Sequence, residues 1–291
     1  VVACMFFGAI SGSSPATVVA MGSLLYPALV QAGYDRRFSI ALVVASGSIA
    51  LIIPPSITMI VYGAVTGASV GALFVSGFGA GVAYGLGFMG YSYYYAKGHR
   101  IPRMPKPSRQ EVWDALYDAK WGLGMPVIII GGIYGGVFTP TEAAAVAAVY
   151  AIAVSLLVHR EISLREFWEV VVQSAGSTAQ VMILLAGASV FAYILTAERV
   201  TVVLTEAIVR LGASQWFVLV LINIALLIAG MLIDGASIIL ILAPLLLPVA
   251  ERVGVESLHL GIIMVVNTAI GMFTPPFGLN LFVAPTVDEE W

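Results

Sequence analysis

Four short stretches carry residue types able to do chemistry. The first is Ser11-Gly12-Ser13-Ser14, three hydroxyls around a glycine in the middle of an apolar run. The second is LIIPPS, Leu51–Ser56, where Pro54-Pro55 interrupts another apolar run before Ser56. The third is Asp234-Gly235 between two apolar arms, and the fourth is FTPPFGLN, Phe273–Asn280, with Thr274, Pro275-Pro276, Gly278 and Asn280. Proline has no N–H to donate and its ring clashes with the carbonyl four residues earlier, so two in succession break a helix and leave carbonyls without donors. Backbone and hydroxyl oxygens are hard ligands that suit a hard monovalent cation, and half-helix N-termini face an anionic group. The competing reading of each motif is structural. The prolines are then kinks repaired by Ser, Thr or water, the serines small residues that let helices approach, and Asp234 a helix cap. A carboxylate at mid-bilayer costs about 2.5–3.5 kcal/mol on insertion scales, which favours a partner or cavity for Asp234.

Other polar residues point less sharply. Asn267 and Asn280 offer amide oxygens or interhelical hydrogen bonds. Thr139-Pro140-x-Glu142 reads as a capped helix start, with Glu142 at the positive end of the helix dipole. His99, His159 and His259 are far apart and show no metal-ligand spacing.

These motifs lie in a chain built for lipid. Of 291 residues, 60% are hydrophobic and 10% charged, against roughly 45–50% and about 25% in soluble domains. The net charge of −3 gives no basic field for nucleic acid. With Cys4 as the single cysteine, an internal disulfide and a cysteine metal cluster are excluded. The sequence opens inside an apolar run, VVACMFFGAI, and stops at FVAPTVDEEW, which leads us to expect a fragment with further helices beyond both ends.

A spanning helix needs about 20 mostly apolar residues. The runs are 38–65, 70–96, 121–137, 142–158, 170–196, 215–233, 236–249 and 259–284, with a further split pair near the start. Basic residues gather in 35–37, 97–120 and 159–169, which the positive-inside rule places in the cytoplasm. The 97–120 stretch, with Arg103, Pro105 and their neighbours, reads as a cytoplasmic connector against lipid headgroups or a partner. The segment 197–214 reads as a helix along the outer interface. Counting crossings then makes each split segment a re-entrant hairpin, one from each side of the membrane. The expected layout is 1–65 as first hairpin and broken helix of a transport domain, 66–169 as connecting or scaffold helices, 170–214 as a connecting and an interfacial helix, 215–284 as second hairpin and broken helix, and 285–291 as a tail.

A shift of 221 positions aligns the two hairpin regions without a gap. Pro27 meets Pro248, Gly33 meets Gly254, and Pro54-Pro55 meets Pro275-Pro276. With the hairpins entering from opposite sides, the repeat is inverted, a pattern of secondary transporters. The predicted fold is an all-α polytopic membrane protein with two re-entrant hairpins and two broken helices.

The chain resembles the large membrane subunit of TRAP (tripartite ATP-independent periplasmic) transporters, the DctM-type permease. The resemblance is carried by FFGAISGSSPATVVAMGSLLYPALVQAGYDRRF, ASGSIALIIPPSITMIVYG, GGIYGGVFTPTEAAAVAAVYA and HLGIIMVVNTAIGMFTPPFGLNLFVA. It implies a scaffold with a mobile transport domain working as an elevator, in a bacterial or archaeal inner membrane. It further implies sodium as the coupling ion with no organic cofactor, a small DctQ-like membrane subunit, and a periplasmic DctP-like binding protein. The implied substrate is a small organic acid such as a C4-dicarboxylate or sialic acid. Carried over residue by residue, Ser11, Ser13, Gly47, Ile52 and Pro54 would form one sodium site. Asp234, Gly235, Thr274, Pro275, Gly278 and Asn280 would form another, with Gly12, Ser14, Pro55, Ser56 and Pro276 completing the surroundings and substrate between the two tips. The alternatives are a two-component cation-coupled carrier without a binding protein, an intramembrane hydrolase, for which no membrane-embedded histidine pairs with a serine, and a passive scaffold subunit.

Overall fold

The computed structural model describes residues 1–102, 106–210, 212 and 214–287. Arg103 and Pro105 of the basic connector, Leu211 and Ala213 of the expected interfacial segment, and 288–291 of the tail lie outside the described residues. Among these, all regular structure is helical. Five helices are long and apolar enough to cross a membrane. Leu, Ile, Val and Phe side chains are exposed along most of them, a surface that suits lipid rather than water.

The chain divides into two compact units, Val1–Arg103 with Ala188–Trp291, and Met104–Gly187. The first unit contains both hairpins. Helix α1 (Val2–Ser11) turns at Gly12 into α2 (Ser14–Gln31), and α3 (Arg36–Gly47) tightens into a 3-10 turn, Ser48–Leu51. After the break at the prolines, α4 (Ile57–Thr66) resumes, followed by α5 (Val70–Gly98). The run expected as one span over 38–65 is thus two helices joined by a 3-10 turn and a break.

The second hairpin repeats this plan. Helix α11 (Gln215–Leu232) turns at Ile233-Asp234 into α12 (Gly235–Arg252), and α13 (Ser257–Gly271) breaks before the short α14 (Leu279–Val283). The ends of α1 and α11, both ends of α2 and α12, and the starts of α3 and α13 all differ by the same 221 positions. Both second arms close alike. Gly33 (φ 93°) and Gly254 (φ 84°) are left-handed, and the next N–H reaches five residues back, Tyr34 to Leu29 at 3.1 Å and Val255 to Ala250 at 2.9 Å. This is a Schellman ending, which glycine permits because it has no Cβ to clash at positive φ. The Pro54-Pro55 and Pro275-Pro276 bonds are both cis.

The second unit holds α6 (Arg109–Asp118), α7 (Lys120–Tyr134), α8 (Pro140–Ala153) with a π turn to His159, and the first part of α9 (Leu164–Ala197). Helices α7 and α8 pack through Ile129, Ala143 and Ala147. Thr139 and Glu142 form the expected cap, here a reciprocal box in which Glu142 accepts the Thr139 N–H at 2.8 Å. Helix α6 was not foreseen in the connector, although Ser108-Arg-Gln-Glu111 is the same box pattern. Helix α10 (Val200–Arg210) lies within the 197–214 segment.

Candidate functional site

The break in α3–α4 begins with a bookkeeping problem of the backbone. In a continuous helix the Leu51 carbonyl would accept the N–H of residue 55, which is proline and has none. Two hydroxyls replace it. Ser56 Oγ donates to Leu51 O at 2.5 Å and Thr58 Oγ1 at 3.2 Å, and the two hydroxyls are 2.8 Å apart. Ser56 then caps α4 through the Met59 N–H at 3.4 Å. All of this is buried: Ser56 and Ile52 are fully inaccessible, and Pro54 is buried beside them. The expectation that the first double proline leaves its freed carbonyl open is therefore corrected at Leu51, because serine and threonine repair it.

The equivalent carbonyl in the second repeat is Met272, four residues before Pro276. Here the donor is backbone: the Asn280 N–H reaches Met272 O at 2.8 Å, made possible by Gly278 at φ 41°. A methyl on Gly278 would stand 2.8 Å from the Thr274 carbonyl. The Gly278 N–H donates to Met231 at the end of α11, 3.0 Å away, and Thr274 Oγ1 donates to Ile270 O at 2.6 Å. Pro275 and Pro276 are exposed.

The first tip leans on the first break. Gly12 is left-handed at φ 60° and its N–H closes α1 onto Gly8. A methyl there would lie 2.8 Å from the Pro55 carbonyl oxygen. Ser11 Oγ and Thr17 Oγ1 are 2.8 Å apart, and both donate to the Ser13 carbonyl, at 3.2 and 2.8 Å. Gly47 lets α3 approach the first turn of α2, where a methyl would be 3.5 Å from the Ser14 carbonyl. The Ile52 carbonyl faces Gly77 of α5.

The second tip crosses to the first repeat. A methyl on Gly235 would meet Thr268 Cγ2 at 2.5 Å, Thr58 Cγ2 at 3.1 Å and Leu51 Cδ1 at 3.7 Å. Asp234 caps α12: Oδ1 accepts the Ala236 and Ser237 N–H groups at 3.0 and 3.2 Å, and Oδ2 accepts the Ser237 hydroxyl. These bonds turn the carboxylate toward its own helix, the capping role among those its position allowed. A cross-link joins the repeats: Ser14 Oγ donates to Asn280 Oδ1 at 2.9 Å, and Asn280 Nδ2 donates to the Val44 carbonyl at 3.0 Å.

Thr17, Thr58, Thr268 and Ser46 belong to this region and were not singled out from the sequence. Ser46, at 1% exposure, has the one buried side-chain oxygen without a partner among the described residues. A cavity of 580 Å³ lies elsewhere, between α10 and the Pro248–Arg252 end of α12. At 1.5 Å per residue, that end is roughly 20 Å along α12 from its N-terminus.

A family model described as "Tripartite ATP-independent periplasmic transporter, DctM component" matches residues 1–290. This chain belongs to the DctM family. It is 48% identical over 289 residues to the isethionate TRAP transporter permease protein DctMQ of Oleidesulfovibrio alaskensis, covering 98% of this chain and 45% of that protein. It is 47% identical to the C4-dicarboxylate TRAP transporter large permease protein DctM of Pseudomonas aeruginosa, covering 99% and 67%. To the sialic acid TRAP transporter large permease protein SiaM of Vibrio cholerae it is 35% identical, covering 99% and 68%. The chain thus spans about half to two thirds of the length of these DctM relatives. All three are named as transport permeases, not enzymes, and the five long apolar helices make this a multi-pass membrane chain of that family.

Proposed function

We propose that this chain carries the ion- and substrate-binding part of a sodium-coupled importer of small organic acids in a bacterial inner membrane. The observation that carries the reading is the convergence of both tips on one break: Gly12 abuts the Pro55 carbonyl, and Gly235 abuts Leu51 and Thr58. Irregular backbone at membrane depth is tolerated where protein or a water-filled cavity surrounds it, and paired breaks of this kind are how carriers coordinate cations. A carbonyl has two lone pairs, so Met272, which accepts one hydrogen bond from the Asn280 N–H, keeps a second for a cation, whereas both at Leu51 are taken by Ser56 and Thr58.

In this reading the two hairpins enter from opposite faces. Ser11, Ser13, Gly47, Ile52 and Pro54, with the unpartnered Ser46 hydroxyl, supply oxygens for one sodium ion. The turn at Asp234-Gly235 and the break at Thr274, Pro275 and Gly278 supply the second. Substrate sits between the tips, and the hairpin unit moves as an elevator. The names of the relatives support the substrate class, since isethionate, C4-dicarboxylates and sialic acid are all small oxyanions. The tripartite family description supports a periplasmic binding protein, and the DctMQ name supports a small Q-type membrane subunit as partners.

The test is uptake by the full-length parent with its small subunit in proteoliposomes. Succinate, isethionate and N-acetylneuraminate are supplied with and without an inward sodium gradient, and with and without a candidate binding protein. Uptake that requires both is the expected result. Uptake requiring sodium alone would replace the tripartite reading with the two-component one, and sodium-independent uptake by folded protein would overturn sodium coupling.

A further inference from the structure

We propose that Asn280 is a positioning residue that couples the two half-sites, so that filling one changes the affinity of the other; this rests on the sodium reading above. The cross-link joins three places that matter to that reading. Ser14 is the first residue of α2, directly after the first tip. Val44 is in the last turns of α3, just before the first break. Asn280 is in the first turn of α14, just after the second break. Ser14 and Asn280 are both fully inaccessible, and Val44 is 2% exposed.

The Val44 carbonyl needs this partner. In a continuing α-helix it would accept the Ser48 N–H, but α3 tightens into its 3-10 turn there and the Ser48 N–H turns to the Ala45 carbonyl. The Asn280 amide supplies the missing donor, so a side chain of the second repeat completes the broken helix of the first. Its other end is held by Ser14, whose own carbonyl neighbours Gly47. The Asn280 backbone N–H meanwhile holds the Met272 carbonyl of the second break. One residue therefore fixes the first tip, the first break and the second break relative to one another. A cation that draws the Ser11–Ser13 turn inward shifts the start of α2, and the buried link passes that shift to the turn around Gly278. A brace that only held the helices together would change stability and leave the sodium sites independent. A coupler must change how binding at one site depends on the other, typically by about fivefold or more.

The experiment is a sodium titration of the purified full-length parent with its small subunit, by calorimetry at constant ionic strength with choline as the replacement cation. Wild type should bind with a Hill coefficient clearly above 1. Asn280→Ala and Ser14→Ala should each bring it to about 1, and the double variant should fall no further than Asn280→Ala. Ser14→Thr, which keeps the hydroxyl, should restore the steepness. Ser14→Ala removes a single oxygen, so it keeps the test open if Asn280→Ala does not fold. Variants that bind with wild-type steepness, or a wild type that binds without cooperativity, overturn the coupling and leave sodium binding itself standing. A folded wild type that takes up no sodium heat at all overturns the sodium reading, and the coupling with it.

Discussion

Leu51 and Met272 hold equivalent places in the two repeats, and each loses its helical donor to a proline, yet they are rescued in different ways. At the first break the donors are the side chains of Ser56 and Thr58; at the second, the donor is the main chain of Asn280. Leu51 and Met272 are both buried, and the difference lies in the residues that follow them. The first break lies inside the unit, where an unpaired carbonyl has no access to water or headgroups, and side-chain hydroxyls beside it are a local remedy. The second has Pro275, Pro276 and Phe277 exposed, and the chain there is free to fold back on itself at Gly278. The tips differ in the same spirit. Gly12 adopts a left-handed turn, whereas its counterpart Ile233 is extended at φ −135° and leaves the capping to Asp234. A repeated backbone thus poses the same problem twice, and the local environment selects the chemistry that solves it.

The tips give the largest expected effect. Gly12→Ala forces a side chain into left-handed backbone, at about 1–2 kcal/mol, and pushes its methyl against the Pro55 carbonyl. Sodium-dependent uptake should fall sharply, with a lowered thermal midpoint of the purified protein. Ile233→Ala, at the equivalent extended position, carries no such backbone penalty and should lose far less of either. Equal losses at the two positions would break the comparison between the tips.

The breaks come next. Ser56→Ala with Thr58→Val leaves the buried Leu51 carbonyl without a donor and should destabilise by about 1–3 kcal/mol, the range for an unsatisfied buried polar group. Thr274→Val, near the more exposed break, leaves the Met272 bond untouched and should cost less. Adding Pro55→Ala to the hydroxyl double variant sharpens this, because alanine brings back the N–H that Leu51 lacks. The loss should then shrink, which thermal denaturation of the four proteins of the cycle would show as non-additivity. A loss of the same size in both backgrounds would mean that Ser56 and Thr58 act through packing and not through the carbonyl.

Much of this architecture was legible in the residues. The hairpins, the two breaks and the repeat follow from apolar run lengths, the double prolines and the glycines at fixed spacing, all of them local signals. Asp234 announces itself because a carboxylate between apolar arms is unusual. Thr58, Thr268, Thr17 and Ser46 do not, since hydroxyls in apolar helices more often bond their own backbone, as Thr268 does to Met264 at 2.8 Å. The link from Ser14 to Asn280 spans 266 positions, and no periodicity reports a contact of that kind. The type of Asn280 announces an amide, but not that its partners Ser14 and Val44 come from the other repeat. Helix α6 was missed for another reason. Its start pattern is present, but it sits in a polar, proline-rich connector whose composition outweighed four residues of capping signal.

That helix provides the smallest effect and a control for the breaks. The Ser108 backbone N–H, at 2.6 Å, and then the Ser108 hydroxyl hold the Glu111 carboxyl below its usual range. A carboxylate lowered in the folded state adds stability that is present above its unfolded pKa and fades as pH falls through the lower folded value. The start of α6 should therefore loosen on acidification below the ordinary carboxylate range, about pH 4, and remain constant above it. Hydrogen exchange of the α6 amides, corrected for intrinsic rates, would report this, and Glu111→Gln should make the first turn insensitive to pH. The first break is held by hydroxyls and carbonyls that do not titrate, so the amides after Ser56 should keep their protection over the same range. Loss of protection there in parallel with α6 would mean that the first break depends on a titrating group beyond its hydroxyl repair, and the contrast between the buried and the exposed break would have to be redrawn.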